Sequence, residues 1–80
     1  MNETRVESTT LMAVAYDDAR KILRLEFRSG AIYYYYGVPA ALHEILLEAA
    51  SKGSYFNRAI RGRFPCVLAA SAQNGLLGKA

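Results

Sequence analysis

The side chains able to do acid–base, nucleophilic or ligand chemistry are few here, and their spacing suits none of it. His43 is the only histidine and stands beside Glu44, Asp17 adjoins Asp18, and Cys66 is the only cysteine. Nucleophilic or general acid–base catalysis needs a base within hydrogen-bond reach of a nucleophile and a third group to orient that base. A lone histidine on the polar side of a helix supplies neither partner. The carboxylate pair falls between two strand-like runs, where aspartates hydrogen-bond the backbone of a turn. Cys66 and His43 lack the two further ligands that a tetrahedral zinc site requires. No glycine-rich phosphate loop of the mononucleotide type is present. These residues predict no enzyme, no metal and no small-molecule cofactor.

The aromatic and cationic residues point elsewhere. Tyr33, Tyr34, Tyr35 and Tyr36 are consecutive and run straight into Gly37-Val38-Pro39. Successive residues of a strand point to opposite faces, so such a run places two rings in a core and two on the other side of the sheet. The charge is lopsided. Residues 1–50 carry five basic and seven acidic side chains, a net of −2, whereas residues 51–80 carry Lys52, Arg58, Arg61, Arg63 and Lys79 and no acid, a net of +5. A local positive field raises the concentration of polyanions near it. The alternative is a solvated basic helix end.

Polar residues 1–10, with Val6 the only aliphatic side chain apart from Met1, read as a lead-in. Leu11 to Tyr16 predicts a first strand, ended by Asp17-Asp18. In Ile22 to Arg28, Leu23, Leu25 and Phe27 alternate with Arg24, Glu26 and Arg28, the period of a half-buried strand. Ser29-Gly30 reads as a two-residue hairpin loop and Ala31 to Tyr36 as the returning strand. Pro39 suits a helix start, and Leu42, Ile45, Leu46 and Ala49 form one apolar stripe behind it. Gly53 then closes that helix as a left-handed residue, and Ser54 caps a second helix over Tyr55 to Arg61, stopped by Gly62 and Pro65. The fold class is α+β: a three-stranded antiparallel β-meander followed by two helices packed on one face (β-β-β-α-α). The domain spans 6–64, with a lead-in over 1–5 and a flexible tail over 65–80.

A two-residue loop at Ser29-Gly30 sets the register. Phe27 then opposes Ile32, Leu25 opposes Tyr34 and Leu23 opposes Tyr36, and directly opposed residues share a face. Tyr34 and Tyr36 enter the core; Tyr33 and Tyr35 share the outer face with Arg24, Glu26 and Arg28. A loop one residue longer would exchange the two pairs.

The 80 residues allow one domain. No apolar run approaches the roughly 18 residues needed to span a bilayer, and no apolar segment follows a basic start at the N-terminus. A single cysteine excludes an internal disulfide framework, and the expectation is a reduced, cytoplasmic protein without membrane contact.

The spaced string Phe27-x-Ser29-Gly30, Tyr33-x-Tyr35-x-x-Val38-Pro39 and Ala49-x-Ser51-x-Gly53-x-Tyr55-Phe56-Asn57-x-x-Ile60-Arg61, with Ser8-Thr9 and Tyr16-Asp17 upstream, resembles the KTSC domain. That family is named for the C-terminus of some lysyl-tRNA synthetases and also occurs as small stand-alone bacterial proteins. The resemblance covers about residues 6–63 and implies a module without an established role, for which RNA binding has been suggested. Two functional classes follow. In the first, Tyr33 and Tyr35 stack unpaired bases of a single-stranded RNA or a tRNA while Arg24, Arg28, Arg58, Arg61 and Arg63 meet phosphates. In the second, the same aromatic face or a sheet edge joins a partner protein or a second copy.

Overall fold

The computed structural model describes residues 2–70. In chain order the elements are β1 (Asn2–Arg5), β2 (Leu11–Asp17), β3 (Ile22–Phe27), β4 (Ile32–Tyr36), α1 (Ala40–Glu48), α2 (Lys52–Tyr55) with a π-helical turn continuing it over Phe56–Ile60, and β5 (Cys66–Ala70). The strands form one antiparallel sheet in the order β1-β2-β3-β4-β5. The α+β class with an antiparallel meander holds, but the sheet has five strands where three were expected. The additional strands are the outermost two. Asn2–Arg5 is wholly polar and Cys66–Ala70 is a run of small and aliphatic residues, so neither shows the alternation of a half-buried strand. Each is extended because it pairs with a formed neighbour, which supplies its backbone partners whatever its side chains are. Residues 66–70 of the expected tail are therefore strand, and 71–80 lie outside the described residues.

The turn between β3 and β4 overturns the expected register. Phe27 N–H donates to the Ala31 carbonyl at 2.9 Å, which leaves Arg28, Ser29 and Gly30 as a three-residue loop, and Gly30 has φ 96. This is the type I turn plus left-handed glycine of a bulged hairpin. The extra loop residue shifts the pairing by one, so Leu25 opposes Tyr33, Leu23 opposes Tyr35, Arg24 opposes Tyr34 and Ile22 opposes Tyr36. Tyr33 and Tyr35 thus face the helices, and Tyr34 and Tyr36 face away.

Leu11, Val14, Leu23, Leu25, Tyr35, Val38, Leu46, Phe56 and Ile60 form the core between sheet and helices. The α1 surface that meets it is rotated from the apolar stripe expected. Leu42, Leu46 and Leu47 pack inward, while Ile45 is 50% exposed. His43 is drawn to the sheet side, half-buried and stacked on Tyr16 at 4.8 Å between ring centroids and 14° between planes. The Tyr16 hydroxyl donates in turn to the Val38 carbonyl, tying β2 to the entry of α1. Asp17 does act as a turn residue, its Oδ1 accepting from Arg20 N–H at 3.1 Å.

Ser51, not Ser54, caps the second helix, its Oγ accepting from Ser54 N–H at 3.3 Å. Gly53 lies inside α2 and is buried against Thr10, where a Cβ would stand 2.4 Å from Oγ1. Close approach, rather than a left-handed conformation, is what demands glycine there. Thr10 is held in place because Ser8 Oγ accepts from the Thr10 and Leu11 N–H groups at 3.0 and 3.1 Å. The π turn closes with Arg61 N–H donating to the Phe56 carbonyl at 2.9 Å, and Gly62 (φ 75) ends it.

Candidate functional site

Under the helices the YxY pair belongs to an aromatic cluster. Tyr33 and Tyr35 lie 6.1 Å apart, Phe27 meets Tyr33 edge-on at 5.8 Å, and Phe56 from the π turn meets Phe27 at 5.3 Å and Tyr35 at 5.7 Å. Edge-to-face pairs at these separations are the favoured geometry of packed rings. Tyr35 is 4% exposed, and its phenol is pushed up to about 12, first by burial and then by the neighbouring Cys66 thiol and Tyr33 phenol. A ring packed this way has no free face for a base. Tyr33 is half-buried in the same cluster. Neither tyrosine stands on the open face where the two-residue loop would have placed it.

The open face of the sheet carries Tyr34 and Tyr36 instead. Across it, Glu3, Ala15, Arg24, Tyr34 and Val67 occupy one row, since each opposes the next on the neighbouring strand. Arg24 reaches over the small Ala15 to Glu3, with Nη1 to Oε2 at 3.1 Å. The long side chains of β1 and β3 explain why Ala13 and Ala15 are buried on a face that no helix covers among the described residues. Arg24 is therefore committed to a carboxylate. Arg28, exposed in the turn, donates from Nε to the Ser8 carbonyl at 2.8 Å, a neutral acceptor that leaves its charge unbalanced.

Arg58, Arg61 and Arg63 form a separate group at the end of the helical layer, and all three are exposed. Arg58 lies over the Tyr55 ring at 5.5 Å, a cation–π contact that holds the guanidinium outward. Arg61 donates to Asn57 Oδ1 at 3.4 Å, and Arg63 Nε donates to the Arg58 carbonyl at 2.9 Å. Among the described residues none of the three meets a carboxylate, and residues 51–70 hold no acid. Of the seven residues expected at one site, the structure brings together these three. Arg24 is across the sheet, Arg28 is in the turn, and the YxY rings are in the core. Tyr55, missed at the sequence level, supplies the aromatic surface under Arg58; its three-residue offset from Arg58 on a helix was the available signal.

Burial pushes the His43 imidazole below its usual range, and the Glu44 carboxylate opposes that shift. Among the described residues no three His, Cys, Asp or Glu side chains gather where they could hold a metal ion, and no helix is long and apolar enough to cross a membrane.

Comparison with known proteins bears on the same segment. The family profile described as the KTSC domain matches residues 7–64. A protein of Tsukamurella paurometabola is 44% identical over 62 residues, covering 78% of this chain and 92% of that protein. A lysine–tRNA ligase of Nostoc sp. is 43% identical over 58 residues, 72% of this chain but only 10% of the ligase. The crystal structure of a KTSC domain protein from Yersinia pestis superposes with a TM-score of 0.83 at 32% identity, over 86% of this chain and 97% of that one.

Proposed function

As the chain belongs to the KTSC domain family, we propose that it is an accessory RNA-binding module that holds the phosphate backbone through Arg58, Arg61 and Arg63. The observation that carries this reading is the group of three exposed arginines, which meet no carboxylate among the described residues, over a stretch with no acid. Guanidinium groups match phosphate bidentately and keep their charge at every physiological pH. The matching segment in the Nostoc enzyme sits within a protein named for tRNA as substrate, which supports an RNA of that kind as the partner. Tyr55, already facing Arg58, offers the nearest aromatic surface for an unpaired base. The YxY rings are assigned to the core in this reading, and their role is to hold β4 and the π turn in register.

Anisotropy titration of a labelled tRNA and a single-stranded oligonucleotide at two salt concentrations tests it. Affinity should fall with salt, with a slope of about 0.7 per phosphate neutralised on a single strand. The triple substitution Arg58→Ala, Arg61→Ala, Arg63→Ala should reduce that slope by roughly two and leave the thermal transition in place. Absence of binding at low salt, or an unchanged slope in the triple variant, would remove the reading.

A further inference from the structure

The two edges of the sheet differ in a way that identifies a second contact surface. β1, at one edge, displays Glu3 and Arg5, and charged side chains are the usual guard against strand addition. β5, at the other, is Cys66-Val67-Leu68-Ala69-Ala70, with no charge and no proline, and all five residues are exposed. Val67 is 52% and Leu68 46% exposed, one on each face of the strand. The Pro65 carbonyl accepts from Tyr36 N–H at 2.9 Å and Val67 opposes Tyr34, so the backbone groups of Cys66 and Leu68 alternate outward. The irregularity in the β4–β5 pairing comes after Leu68, which leaves Cys66, Val67 and Leu68 as a regular segment with a free outer side among the described residues.

We propose that this edge pairs antiparallel with β5 of a second copy of the chain, about a two-fold axis at Val67. In that register Cys66 of each copy exchanges backbone hydrogen bonds with Leu68 of the other. The two Val67 side chains meet on the open face, and each Leu68 covers the partner's Cys66 on the other. The occupant follows from charge. An uncharged strand meets its own copy without repulsion, whereas adding β5 to a β1 edge would press apolar side chains against Glu3 and Arg5. Pairing of like edges about a two-fold axis also closes on itself and does not propagate into a filament. The arginine groups of the two copies fall at opposite ends of the joined strands, so the contact does not depend on the RNA reading. Three residues a side bury far less than the roughly 800 Å² per partner of a standard interface, so the dimer is weak and dependent on concentration.

Sedimentation velocity from micromolar to millimolar protein, combined with oxidation of cysteine variants, tests the pairing. Wild type should pass from monomer to dimer over that range. Val67→Lys, at a half-exposed site, should remain monomeric with an unchanged melting temperature. In a Cys66→Ser background, Val67→Cys places two thiols on directly opposed residues, about 4.5 Å between Cα atoms and inside the disulfide range, so it should oxidise to a covalent dimer. Ala69→Cys in the same background places them about 13 Å apart along the strands and should not. A monomer at every concentration would overturn the proposal, as would equal cross-linking at both positions or growth beyond a dimer.

Discussion

Tyr35 lies within the segment that matches the KTSC family and is a structural residue of its core. Its ring is closed in by Phe56 and Tyr33, and its phenol stays protonated to a pH of about 12. The unfolded chain loses that proton near the ordinary value of 10.0. The folded form therefore holds the proton more tightly, and the stability this contributes is fully present below pH 10 and lost as pH rises toward 12. The loss is on the order of 2 kcal/mol for a shift of that size. Tyr35→Phe should flatten the decline of unfolding free energy above pH 10, measured by urea denaturation at stepped pH. A decline as steep as wild type would show that other phenols, Tyr16 among them, account for it.

Among the elements, the β3–β4 turn has the largest consequence for the site. One residue in that loop decides which pair of tyrosines is buried, because a single-step slip exchanges the two faces of β4 along its whole length. Gly30 sustains the longer loop through a positive φ of 96, a conformation that a Cβ disfavours. Gly30→Ala should cost about 1–2 kcal/mol in denaturant unfolding, whereas Ser29→Ala, at an exposed position without that demand, should cost little. Equal effects of the two substitutions would mean that the register is held elsewhere, for example by packing of Tyr33 and Tyr35 against Phe27 and Phe56.

Across the molecule, the arginines divide by place and by the charge of the partner they meet. Among the described residues Arg24 alone of the five expected at one site is bound to a carboxylate, Glu3 on the open face; Arg28 stands by itself in the β3–β4 turn on the Ser8 carbonyl, while Arg58, Arg61 and Arg63 stand together at the end of the helical layer. Removing an engaged cation also frees its partner; Arg24→Ala leaves Glu3 uncompensated on a face remote from the helical arginines. We therefore expect Arg24→Ala and Arg28→Ala to leave the salt slope of RNA binding within experimental scatter, in the same titration that lowers it for the helical triple variant. A slope lost equally in both sets would mean a diffuse field of the whole protein and not a localised site.

Much of this was legible in the chain. The alternation of Leu23, Leu25 and Phe27 announced β3, the 27–36 hairpin was marked by Ser29-Gly30, and the acid-free stretch after residue 50 marked the helical arginines. These are local properties of adjacent residues, and local chemistry suffices to express them. The faces of the tyrosines were not legible, since two- and three-residue loops both suit a glycine at that point and only the closed hairpin selects between them. The outermost strands were hidden because pairing with a neighbour, not side-chain pattern, makes them extended. Gly53 was placed at a helix end by its type alone; its need for glycine comes from Thr10, brought against it from 43 residues away by the packing of helix on sheet. Residue type and spacing determined the elements and the charge, and contacts distant in sequence decided which side chains are left free to bind.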